Sequence, residues 1–147
     1  MIIESPLGQI EGVENDGVIA FRGIRYALAP TGYLRFCPPE AVPGWKDVYD
    51  AKTFGPAAPQ LPGLGPTEAT SEDCLFLNVY TRACGDTGRP VLFWIHGGGY
   101  VSGSGRFYNG RPFVSEHDVV IVTINYRMGA LGLLHVGHLD PALSESV

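Results

Sequence analysis

Apolar residues in this chain gather into short runs instead of the three-to-four residue stripes of amphipathic helices. Val91-Leu92-Phe93-Trp94-Ile95 is an uninterrupted run of β-branched and aromatic residues. At that length it predicts a strand buried on both faces and central in a sheet. Leu75 to Tyr80 predicts a second strand and Val119 to Asn125 a third. Near the start, weak alternation from Ile2 to Val13 meets the hairpin signal Glu14-Asn15-Asp16-Gly17 before Val18-Ile19-Ala20-Phe21, which predicts a small antiparallel β-ribbon. From Arg22 to Gln60 prolines and glycines break any regular period, while Tyr26, Tyr33, Phe36, Trp45, Tyr49 and Phe54 supply rings. That stretch predicts an irregular segment held to the body by ring burial.

Connections follow from the same pattern. Leu61 to Ala69 is a polar and Gly/Pro loop, and Arg82 to Pro90 is a turn-rich link expected to join antiparallel neighbours. Asn109 to Asp118, with Pro112 near its start, is the one helical region the pattern supports. Strand, short crossover and strand there predict a right-handed parallel pair. Beyond Gly129 the pattern fades through Gly132, Gly137 and Asp140-Pro141. Buried strands need cover on both faces. Either the architecture is all-β, or the sequence ends before its helices arrive.

Composition narrows the function classes. The chain has 147 residues and 45% hydrophobic content, enough for one globular core. A net charge of -5 with scattered Lys and Arg argues against a nucleic-acid partner. No apolar stretch approaches the roughly 20 residues of a membrane span, and no signal peptide follows Met1. Cys37, Cys74 and Cys84 are an odd number without close spacing, which favours free thiols and a cytoplasmic location. His135 and His138 stand three apart without a supporting cluster, so no metal site is expected. Nothing in the pattern specifies an oligomeric state.

The candidate chemistry lies where the Val91–Ile95 run meets His96-Gly97-Gly98-Gly99. Without Cβ atoms, such a loop lets main-chain N–H groups approach an anion. A P-loop reading fails because Gly103 is followed by Ser104 and Gly105 instead of Lys, and a dinucleotide fingerprint fails at Ser102. No cofactor is therefore expected. A His-Gly-Gly-Gly turn after a strand also occurs as a source of oxyanion-hole donors in α/β-hydrolases. The bland alternative is a tight turn that stabilises a sheet edge.

Six motifs carry a resemblance: Phe21-Arg22-Gly23-Ile24-Arg25-Tyr26-Ala27, Leu34-Arg35-Phe36, Pro38-Pro39, Ser71-Glu72-Asp73-Cys74-Leu75 with Leu77-Asn78-Val79, Trp94-Ile95-His96-Gly97-Gly98-Gly99, and Asn125-Tyr126-Arg127-Met128-Gly129. In this order they resemble the N-terminal part of the type-B carboxylesterase and cholinesterase family. The resemblance implies an α/β class: a partial α/β-hydrolase domain over residues 1–147, with a small antiparallel β-ribbon, then central mixed-sheet strands, and little helix because truncated. It implies that Gly98 and Gly99 give N–H groups to an oxyanion, while His96 and Gly97 support the loop. It also implies an Arg35–Glu72 ion pair pinning the irregular segment, and a disulfide partner for Cys74 at a position where this chain has Pro59, before Gln60.

The implied reaction is hydrolysis of a small-molecule carboxylic ester through an acyl-serine. None of Ser5, Ser71, Ser102, Ser104, Ser115, Ser144 or Ser146 sits in Gly-x-Ser-x-Gly. The resemblance places the nucleophile, acid and base further along, so His96, His117, His135 and His138 are not assigned as the base. The expectation is a fragment that supplies two oxyanion donors and is inactive alone. The alternatives are a non-catalytic cholinesterase-like binding or adhesion module, and a stand-alone β-rich domain.

Overall fold

The computed structural model describes residues 1–61, 63, 70–82, 84–85 and 88–137. His138, Asp140-Pro141, Ser144, Ser146 and most of the Leu61–Ala69 loop lie outside the described residues.

Pro6 and Leu7 turn the chain between β1 (Ile2–Ser5) and β2 (Gly8–Glu11), which pair antiparallel. A short strand β5 (Tyr49–Asp50) adds to β2 in parallel, completing a three-stranded sheet. The Asp16-Gly17 turn, with φ of 51° and 71°, closes the hairpin of β3 (Val13–Asn15) and β4 (Val18–Arg25). Both central turn residues therefore adopt the left-handed backbone that Asp-Gly hairpins favour.

β4 does not stop at a ribbon. It also pairs antiparallel with β6 (Phe76–Thr81), with a register shift between Phe21 and Ile24. β6 pairs antiparallel with β8 (Val120–Ile124), and β8 pairs in parallel with β7 (Val91–Ile95). The five-stranded order is β3-β4-β6-β8-β7.

Two expectations are corrected by this order. Among the described residues β7 lies at the edge of the sheet, and all five of its residues are exposed, from Trp94 at 42% to Ile95 at 63%. The strand buried on both faces is β4, whose Val18 to Phe21 are each 3% exposed or less. An apolar run reports a need for cover, not which segment supplies it. The Arg82–Pro90 connection does not join neighbours either: both edges of β6 are taken, by β4 and β8, so β8 inserts between β6 and β7.

Alternation along β4 divides the core. Val18 and Ala20 point to one side and pack with Tyr80, Ile121 and Val114 of α1 (Arg111–Glu116). Ile19 and Phe21 point to the other and pack with Ile10 and Ala51 around the small sheet. A third cluster joins Ala27, Ala58, Cys74, Leu75 and Met128, just before α2 (Gly129–Leu133). Among the described residues both α-helices are short, at 6 and 5 residues. Rings of the irregular segment pack on the body, Tyr26 against the third cluster and Trp45 and Tyr49 against the second, although Tyr33 is 86% exposed. The Trp45 indole also donates to the Gln9 carbonyl at 2.7 Å and the Tyr49 hydroxyl to the Gly23 carbonyl at 2.8 Å.

Candidate functional site: the glycine loop after β7

β7 delivers the chain into His96, and from there the loop is shaped by how little space it has. The backbone turns through left-handed angles at Gly98 (φ +126°), Gly99 (φ +61°) and Tyr100 (φ +62°). At Gly98 this is obligatory, since a Cβ there would lie 1.9 Å from the Ser102 carbonyl oxygen. The Gly98 carbonyl accepts from the N–H groups of Val101 and Ser102, both at 3.1 Å, and so closes the turn. Among the described residues, the N–H groups of Gly98 and Gly99 have no hydrogen-bond partner. A Cβ at Gly99 would meet nothing within 4 Å, so that side of the loop is open.

The surroundings hold this loop at three places. His96 is 3% exposed, its ring stacks on Tyr126 with centroids 4.5 Å apart, and the Tyr126 hydroxyl donates to the His96 carbonyl at 2.6 Å. Burial raises the Tyr126 phenol above its usual range, with a smaller contribution from the nearby Tyr100 and Tyr108, so the hydroxyl keeps its proton. His96 Nδ1 lies 2.9 Å from the Gly97 carbonyl oxygen. The C-terminal side of the loop is tied by Gln60, which accepts from Gly103 N–H at 2.8 Å and donates to the Gly103 carbonyl at 3.0 Å. Beyond it, the buried Asn125 Oδ1 accepts from Ser104 Oγ at 3.1 Å and from Gly105 N–H at 2.8 Å, while its Nδ2 donates to the Pro56 carbonyl at 2.9 Å.

The Asn125 to Gly129 stretch lines the underside of the loop. The Tyr26 hydroxyl donates to the Asn125 carbonyl at 2.7 Å, and burial pushes that phenol up to about 12. Arg127 donates to the Cys37 carbonyl at 2.9 Å, Met128 fills the third core cluster, and Gly129 N–H donates to the Tyr100 carbonyl at 2.7 Å. Arg35 and Glu72 face each other in a two-bond pair, Nε to Oε2 at 2.5 Å and Nη2 to Oε1 at 2.8 Å. With side chains 42% and 29% exposed, the pair orients the irregular segment more than it stabilises it. A second two-bond pair, Arg25–Asp73 at 2.6 and 2.7 Å, was not singled out from the sequence.

Other candidates are accounted for by local structure. Ser104 Oγ, in addition to its bond with Asn125, accepts from Arg106 N–H at 3.2 Å. His117 caps α1 and packs against Phe113. No grouping of three metal-ligating side chains occurs among the described residues, and no helix there is long and apolar enough to cross a membrane. Sequence reasoning gave no role to Gln60, Asn125 or Tyr126. For the last two the signal was present, because both belong to a motif that carried the resemblance.

Comparison with known proteins extends over nearly the whole chain. The Carboxylesterase family model matches residues 1–142. The para-nitrobenzyl esterase of Bacillus subtilis is 37% identical over 99% of this chain and 31% of its own length. The phenmedipham hydrolase of Pseudarthrobacter oxydans is 42% identical over 90% of this chain and 29% of its own. The crystal structure of carboxylesterase EST55 from Geobacillus stearothermophilus superposes with a TM-score of 0.88 at 44% identity, covering 99% of this chain and 30% of that one. The chain thus spans about 30% of the length of these relatives. With the mixed sheet, the glycine turn and a match that runs almost end to end, this chain belongs to the carboxylesterase family and shares its α/β-hydrolase fold.

Proposed function

We propose that this chain contributes the Gly98 and Gly99 N–H groups to the oxyanion hole of a serine carboxylester hydrolase. Attack of a serine on an ester carbonyl moves negative charge onto the carbonyl oxygen. Fixed donors near 3 Å from that oxygen lower the barrier, each by about 10² to 10³ in rate. The observation that carries this reading is the pair of unengaged N–H groups on a loop whose flanks are tied by His96, Gln60 and Asn125. A turn that merely ended a strand would have no need of such fastening. Gly97 and His96 serve as loop support, and the Arg35–Glu72 pair holds the covering segment.

On this reading, residues 1–147 form part of a hydrolase domain whose nucleophile, acid and base lie outside these residues, because no serine here occupies a Gly-x-Ser-x-Gly elbow. The substrate class is an uncharged carboxylic ester of small to medium size, taken through an acyl-serine with no cofactor. The isolated chain is inactive.

The test is a chimera in which residues 1–142 replace the matched N-terminal segment of the Bacillus subtilis para-nitrobenzyl esterase. Its expected behaviour is hydrolysis of p-nitrophenyl acetate, with kcat cut about a hundredfold by Gly98→Ala. Affinity for a trifluoromethyl ketone, which mimics the tetrahedral intermediate, should fall in parallel with kcat/KM. A Gly98→Ala chimera with undiminished kcat and ketone affinity refutes the oxyanion assignment. Organophosphate-sensitive turnover by purified 1–147 alone refutes the inactivity of the isolated chain.

A further inference from the structure

Gln60 reaches the glycine loop from 43 positions away, and among the described residues its hydrogen bonds all go to main chain. Its Oε1 accepts from Gly103 N–H at 2.8 Å, and its Nε2 donates to the carbonyls of Gly103 and Ala58, both at 3.0 Å. The primary amide thus mimics a strand partner for the single peptide unit at Gly103, with donor and acceptor both engaged. Gly103 is the residue where the returning chain crosses the departing one. A Cβ there would stand 2.4 Å from His96 Nδ1 and 2.6 Å from the Gly97 carbonyl oxygen. The backbone at Gly103 therefore presses directly on the two residues that lead into Gly98 and Gly99, with φ at +121°. Whatever holds Gly103 in place also limits where Gly97 can go.

The geometry points to Gln60 as a positioning residue for the oxyanion loop: it clamps Gly103 against His96 and Gly97 and thereby sets where the Gly98 and Gly99 N–H groups aim. This rests on the oxyanion reading above. The clamp acts across the loop, opposite the Tyr126 hydroxyl that holds the His96 carbonyl. Pro59, the neighbour of Gln60, is not a cysteine, and Cys74 is a free, buried thiol, so no disulfide ties this segment down. The amide of Gln60, backed by Ala58 in the core cluster around Met128, carries that task. A donor displaced by a fraction of an ångström stabilises the developing charge less, without weakening the hold on a neutral ester.

The chimera tests the proposal, with kcat expressed per active site titrated by an organophosphate so that misfolded protein does not register. Gln60→Ala is expected to lower kcat at least fivefold while KM stays within twofold. Gln60→Glu keeps the acceptor for Gly103 N–H but, when ionised, sets a carboxylate against two carbonyl oxygens. Protonation restores a donor, so the ratio of the Gln60→Glu kcat to that of the parent chimera should rise from about pH 8 to about pH 5. The ratio cancels titration of the triad, and a purely structural side chain would leave it flat. Gln60→Ala with kcat within twofold of the parent, or with a loss carried wholly by KM, overturns the proposal. If Gln60→Ala yields no titratable sites, the Gln60→Glu ratio decides alone, and a flat profile overturns it. Failure of the oxyanion reading looks different, because Gly98→Ala would then keep its kcat whatever Gln60 does.

Discussion

The His96 imidazole lies against the Tyr126 ring at a 4.5 Å centroid separation while the Tyr126 hydroxyl donates back to the His96 carbonyl at 2.6 Å. One side chain thus fixes both the ring and the peptide group at the point where β7 becomes the glycine loop. The two contacts separate by mutation. Tyr126→Phe keeps the stack and removes the bond, leaving a buried carbonyl short of a donor. The expected cost is about 1 kcal/mol in the chimera's urea unfolding, with a severalfold lower kcat per titrated site. Unchanged kcat beside the loss of stability would confine Tyr126 to a packing role.

Glycine substitutions in the loop should rank by space and not by φ alone. Gly98 and Gly99 both have positive φ, but a Cβ collides with the Ser102 carbonyl at the first and meets open space at the second. Gly98→Ala should cost several kcal/mol because the turn must open. Gly99→Ala should cost only about 1 kcal/mol, the usual penalty for a left-handed alanine. Thermal or urea unfolding of the two chimeras gives the comparison, and equal losses would contradict the loop geometry described above.

Asn125 is the hub on the far side. Its side chain satisfies the Gly105 N–H, the Ser104 hydroxyl and the Pro56 carbonyl, in a residue 4% exposed. Asn125→Ala leaves the buried Gly105 N–H and the partly buried Pro56 carbonyl unpaired and is expected to destabilise by about 3 kcal/mol. Asn125→Asp retains the acceptor but faces the Pro56 carbonyl with charge. Its stability should therefore recover as pH falls and the carboxyl takes up a proton, the opposite of the trend for a salt-bridged acid. Urea titrations at several pH values read both effects.

How much of this was open to inspection in the sequence depended on the range of each interaction. The Asp16-Gly17 hairpin, the strand over Val120–Ile124 and the helix over Arg111–Glu116 rest on neighbouring residues, and all were visible. The exposure of β7 was not, because burial depends on which distant segments pair, and nothing in Val91–Ile95 encodes that β8 inserts beside β6. Likewise β4 read as half of a ribbon, although its second edge pairs with β6 more than fifty residues away. At the candidate site, the glycines announced themselves by composition. Gln60 could not, since an amide that bonds main chain 43 positions later follows no period. Asn125 and Tyr126 stood in a motif whose physical reasons emerged only when their partners were placed.

Alkali should loosen the third core cluster. Burial, then the Asp73 charge, pushes the Cys74 thiol from 9.0 up to about 12, and burial likewise lifts the Tyr26 phenol from 10.0 to about 12. Both groups stay protonated in the folded chain where the unfolded chain has begun to ionise. Their contribution to stability is intact below about pH 9 and is lost progressively as pH rises towards about 12. Cys74 should also resist iodoacetamide at pH 8 while the partly exposed Cys37 reacts, and denaturant should abolish the difference. Equal labelling of Cys37 and Cys74 in folded protein would mean that the cluster around Met128 is open.

The edge strand makes the sharpest contrast between the isolated chain and the chimera. Leu92 and Trp94 line an open concavity of about 450 Å³ with Phe107, Tyr108 and Phe113. On the opposite face Val91 lines another, of about 430 Å³, with Phe21, Val79 and Val120. An exposed apolar strand with one edge unpaired among the described residues is a template for pairing with other chains. Purified 1–147 should therefore self-associate, and Phe93→Lys, which places a charge on a residue 54% exposed, should reduce light scattering at equal concentration. In the chimera the rest of the esterase is expected to cover the same position, and there Phe93→Lys should destabilise by several kcal/mol by burying an unpaired ammonium. Opposite signs in the two settings identify β7 as an interior strand lacking its cover. Equal tolerance in both would mean that β7 is a true edge, and that the glycine loop stands at the margin of the sheet instead of over its centre.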